Sequence, residues 1–159
     1  MALDPSRTPV LVGIGQSIER EAVTTAVALA ARAAEAAFDD APGLREKIQR
    51  LSLVAVSFSP VSLTPATEIV DALGLGDIAR EATTPGGNSP QWLVNRACEQ
   101  IVAGELETTI LVGAEATRSM RLREPDRDFL QAATQDRSEE AGPQDVVVGN
   151  SIRGMYSTA

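Results

Sequence analysis

The sequence contains no histidine. That absence removes the commonest general base, the usual activator of a nucleophile and the usual zinc ligand. A single cysteine, Cys98, excludes an intramolecular disulfide framework and any cysteine-cluster metal site. Lysine occurs once, at Lys47, so a serine–lysine pair has little to draw on. Aromatic residues make up only 3% of the chain. Basic residues are outnumbered by acidic ones and the formal net charge is -8, which argues against nucleic acid and against an anionic membrane surface. No run is long and apolar enough to span a bilayer, and Met1–Pro9 has no signal-peptide core, so the expected compartment is the cytoplasm.

What is present is a chain of 159 residues with 43% hydrophobic content, enough for one core built from Ala, Val, Leu and Ile. Pro9–Gly15 is a continuous apolar run closed by glycines and predicts a strand buried on both faces. Glu21–Phe38 predicts a helix, with Val27, Ala30, Ala31, Ala34 and Phe38 on one side. Leu44–Arg50 predicts a short helical piece and Leu51–Phe58 a second strand. Thr64 and Pro65 open a helix that Gly74 ends. A short extended piece follows. Ser89 as N-cap and Pro90 as first residue predict a helix to Val102, with Leu93, Ala97 and Ile101 inward, and Val94, Cys98 and Val102 beside them. Thr108–Gly113 predicts a last buried strand. This alternation is the pattern of an α/β fold, a mostly parallel sheet with helices on both faces. Beyond Ser119 charge replaces apolar residues, so residues 1–119 are expected to form the domain. Residues 120–159 are expected to form a charged excursion, with Asp145–Gly149 returning to the body.

Three stretches carry a resemblance. Pro9–Gln16 is similar to the opening strand of thiolases. Val102–Ser119 resembles the thiolase stretch in which a helix ends at a Gly and an acidic residue, and a strand leads to a Gly-x-Glu-x-x-Ser turn. Gly86–Asn95 resembles the branch described as acetyl-CoA acetyltransferase-like, or thiolase-like protein type 1. The resemblance covers about Pro9 to Ser119. It implies one half of a duplicated thiolase-like fold, an acyltransferase ancestry tied to lipid metabolism, and coenzyme A or an acyl-CoA as ligand. It implies no required cofactor and no metal.

In that family an acyl-accepting cysteine stands at the start of the helix before the last strand. Counting back from Ile101–Glu105, the position falls on Gly87, and of the motif only Ser89 survives. The histidine motifs of a second half are missing. The resemblance therefore implies a chain without catalytic residues of its own, inactive alone. Gly86, Gly87, Asn88 and Ser89 remain as a candidate ligand site, because a glycine turn into a helix start can hold an anion or a thioester oxygen. The same residues also read simply as a turn with a cap.

Other candidates are weaker. Ser89 has no base beside it, so an N-cap role fits it better than a nucleophilic one. Cys98, well inside a helix, reads as a packed thiol. Gly13 and Gly15 open a dinucleotide fingerprint whose third glycine would fall on Ile18, so that motif fails. Glu115 is expected to accept backbone hydrogen bonds at its turn. Arg118, Arg121 and Arg123 read either as contacts to a CoA phosphate or as part of a salt-bridged loop. The alternative to an acyl-CoA-handling half is a non-catalytic interaction module that pairs with another thiolase-like chain or with itself.

Overall fold

The computed structural model describes residues 4–125. The elements are α1 (Ala26–Asp40), β1 (Arg50–Leu53), α2 (Pro65–Leu73), β2 (Ala79–Ala82), α3 (Ser89–Ala103), β3 (Thr109–Val112) and α4 (Thr117–Arg123), with 3-10 turns at Pro5–Arg7 and Arg45–Lys47. The three strands form a parallel sheet in the order β2-β1-β3. Helices cover both faces, as the α/β pattern implies.

Period-two alternation divides the sheet. Leu51, Leu53, Ala82, Ile110 and Val112 face one way and pack with Ala30, Ala34 and Phe38 of α1 and with Ala66, Ile69, Val70 and Leu73 of α2. This is the main core. Arg50, Ser52 and Glu81 face the other way, towards α3. Arg45 ties the core's outer layer together. Its guanidinium pairs with Glu35, donates to the Leu73 carbonyl at 2.8 Å and lies 4.5 Å over the Phe38 ring. A cation over a ring face adds electrostatic attraction to packing.

Helix ends follow local chemistry. Thr25 caps α1, its hydroxyl accepting from the Ala28 N–H, and the helix starts five residues later than expected at Glu21 because Glu21 and Ala22 instead donate their N–H groups to Glu19. Those two bonds, with Arg32, hold the Glu19 carboxyl at about 2, well below its ordinary 4.5. Gly74 and Gly104 end α2 and α3 in the left-handed conformation.

One expected strand is corrected. Pro9–Gly15 forms no strand; Val10, Leu11, Val12 and Ile14 are exposed. No described strand pairs with it, and its glycines serve a different purpose. Gly13 and Gly15 lie against the backbone of α1: a Cβ on Gly13 would fall 2.7 Å from the Ala37 carbonyl, and one on Gly15 would overlap Ala33. The segment is further fixed by the Ile14 N–H donating to Asp40 at 2.9 Å. The short extended piece expected after Gly74 is the strand Ala79–Ala82, which pairs with β1 although it has no run of apolar residues. The expected domain limit at Ser119 falls inside α4, where Ser119 and Met120 are buried. Phe129, Leu130 and Asp145–Gly149 lie outside the described residues.

Candidate functional site

The β2–α3 connection carries Gly86–Ser89. Gly87 and Asn88 are exposed, Gly86 is half-buried and Ser89 is buried. The four residues lie together at the start of α3. The capping chemistry differs from the expected one. Asn88, not Ser89, is the N-cap; Ser89 is the first helical residue and Pro90 the second. The Ser89 hydroxyl donates to the Thr84 carbonyl at 3.0 Å, and its N–H donates to the Gly86 carbonyl at 3.1 Å. Ser89 thus closes the turn on itself. Pro90 has no N–H to offer. The anion-binding capacity of this helix start is therefore smaller than that of a helix with three free donors.

Gly87 is the informative position. A Cβ built there meets no atom within 4 Å, and its φ lies outside the left-handed region. Neither crowding nor backbone strain calls for glycine. Gly86 differs: a Cβ there would lie 3.0 Å from Asn88 Oδ1 and 3.1 Å from Ser89 Oγ. Position 87, where the resemblance would put the family's cysteine, is therefore an open, solvent-facing slot.

A second turn is assembled by Glu115. Its carboxylate accepts from the Ser57 N–H at 2.5 Å, the Phe58 N–H at 3.1 Å and the Ser59 hydroxyl at 2.8 Å. Ser59 Oγ in turn accepts from the Ala116 N–H at 2.6 Å. Glu115 is thus the staple between the ends of β1 and β3 that its place after the strand implies. Arg118 donates to the Glu21 carbonyl at 3.2 Å. Cys98 is half-buried. Among the described residues no group of three or more His, Cys, Asp or Glu is placed to hold a metal ion, and no helix is long and apolar enough to cross a membrane.

A polar cluster under α3 was not legible in the sequence. Glu81 of β2 accepts from Ser52 Oγ at 2.8 Å and pairs with Arg96 at 2.6 Å and with Arg50 Nε at 3.5 Å. Arg50 also donates to Gln100 Oε1 at 2.8 Å. Arg96 and Gln100 share one helix face by their i, i+4 spacing, but nothing local announces partners on two separate strands.

Comparison with solved structures identifies the architecture. A monomeric SCP2-thiolase-like protein type 1 from Mycobacterium smegmatis matches with a TM-score of 0.58 and 30% identity, over 70% of this chain. The fold of the chain is thiolase-like. The chain spans 24% of that protein's length. No family model and no curated protein matches the sequence. Within the thiolase-like frame, the expected α/β class and the resemblance at Gly86–Asn95 to type 1 proteins agree with the structural match.

Proposed function

We propose that this thiolase-like chain handles an acyl-CoA or coenzyme A at the Gly86–Ser89 turn without performing acyl transfer. The observation that carries the reading is the open slot at Gly87. A side chain there would be unobstructed, yet the residue has none, and the chain holds no histidine to activate a nucleophile. Ser89, the surviving polar residue of the motif, has its hydroxyl directed to the Thr84 carbonyl. Ligand affinity would come from the turn and the helix start. Thermal denaturation of the purified chain with coenzyme A tests it. At a hundredfold excess over Kd the folded state gains about 2.7 kcal/mol, seen as a raised Tm. An unchanged Tm at millimolar coenzyme A refutes ligand handling.

The exposed row Val10, Leu11, Val12, Ile14 and Ile18 favours a second reading, in which the chain pairs with another thiolase-like chain. Light scattering across a concentration series separates the two. A constant monomer mass, alone and with a thiolase-like partner chain, counts against pairing.

A further inference from the structure

α3 is attached to the fold differently from α1 and α2. Those two supply seven residues to the main apolar core, whereas neither apolar cluster among the described residues contains a residue of α3. Over its whole length α3 buries only Ser89, Leu93 and Ala97. The sheet face beneath it carries Arg50, Ser52 and Glu81, all buried.

Both oxygens of Glu81 are used. Oε1 faces Ser52 and Arg50, and Oε2 faces Arg96. Arg50 reaches Gln100, one turn along α3 from Arg96. The charged and polar groups facing Glu81 are thus Arg50 and Ser52 from β1 and Arg96 from α3, with Gln100 of α3 completing the cluster through Arg50. Arg50 is 9% exposed, and its buried Nε makes no hydrogen bond, only the longer ion pair. Burial pushes its guanidinium below the ordinary value, Glu81 opposes that, and Arg96 adds to it. Two guanidinium groups therefore depend on one carboxylate. Arg96 also lies 5.2 Å from the Trp92 ring, within the same helix.

We propose that Arg50, Glu81 and Arg96 form an electrostatic latch that holds α3 on the sheet, so that α3 detaches as a unit while the α1–α2 core stays folded. An apolar face with only two buried residues, Leu93 and Ala97, is satisfied about as well after a small slide of the helix. A carboxylate shared by the buried Arg50, the half-buried Arg96 and a serine is satisfied in one position only. The latch sets where the start of α3, and with it Gly86–Ser89, sits. It stands whether or not that turn binds a ligand.

Native-state amide hydrogen exchange on the full chain tests it, resolved by residue. In the unaltered protein, α3 amides open at lower denaturant than those of α1 and α2. Glu81→Gln keeps the shape but leaves both arginines uncompensated, and accelerates exchange in α3 about a hundredfold, well beyond any change in α1 and α2. Arg96→Met, which leaves the β1–β2 contacts of Glu81 intact, accelerates α3 selectively in the same way. Equal acceleration in all three helices, or none in α3, overturns the latch. Should Glu81→Gln not fold, the unaltered chain decides: one common opening free energy for the three helices overturns it.

Discussion

Leu53→Ala lowers the stability of the chain by about 3 kcal/mol, the range for a fully buried leucine whose site cannot collapse. Leu53 is 0% exposed and belongs to the core cluster with Ala34, Val70 and Val112. It lies on β1, the central strand, whose backbone is fixed on both sides by parallel pairing to β2 and β3. Neighbouring strands held by ladder hydrogen bonds cannot move in to fill the void, so the cavity penalty adds to the lost transfer energy. Much of the surrounding core is alanine, from Ala30, Ala34, Ala66 and Ala82, and alanines have no longer rotamer with which to refill the space. Urea titration followed by far-UV circular dichroism reads the effect as a lower midpoint with an unchanged slope. A loss below about 1 kcal/mol, typical of a surface site, would mean that β1 is not central to the core.

Gly87→Cys, made with Cys98→Ser, folds normally and carries a thiol more acidic than the ordinary value of about 8.5, by about one unit. The side chain enters open space, with no backbone strain to relieve. It stands one residue before the N-cap of a 15-residue helix, where the partial positive charge of the helix start favours the thiolate. The shift stays well short of those in strongly activated thiols for two reasons. Ser89 uses its N–H and hydroxyl within the turn, and Pro90 has no N–H. No histidine stands by to form an ion pair with the thiolate. The pH dependence of the alkylation rate with iodoacetamide measures the apparent pKa. A value at or above 8.5 would show that the turn does not present the helix start to position 87.

Much of the frame was legible because its causes are local. The spacing of Ala30, Ala34 and Phe38 marks the buried side of α1, and Thr64, Pro65 and Gly74 bracket α2. The expected strand Thr108–Gly113 forms as Thr109–Val112, whereas the expected strand Leu51–Phe58 forms only as Arg50–Leu53. What was not legible depends on partners distant in sequence. Ala79–Ala82 was expected only as a short extended piece; its place as the partner of β1 is set by the open edge that β1 offers. Pro9–Gly15 has the composition of a buried strand, but a composition cannot supply the neighbouring strand, and Gly13 and Gly15 instead bring the backbone against α1. The inward side of α3 was expected to be a continuous apolar stripe. Leu93 and Ala97 are buried, Ile101 is half-buried, and Val94 and Val102 are exposed, because Arg96 and Gln100 take part of the sheet-facing side.

At the candidate site, the position of Gly87 came from resemblance and its openness from the structure. Ser89 illustrates the difference between a residue type and its role. A serine before a proline at a helix start reads as an N-cap, yet its hydroxyl donates backwards to Thr84, and Asn88 takes the cap position.

The central proposal is that the chain, thiolase-like in fold, performs no acyl transfer. Incubating the purified chain with acetoacetyl-CoA and free coenzyme A, and following loss of the acetoacetyl thioester, tests it most directly. The rate should equal that of the protein-free control, because position 87 bears no nucleophile and no imidazole is available to activate one. Protein-dependent cleavage above that control, retained through purification and proportional to protein concentration, would contradict it.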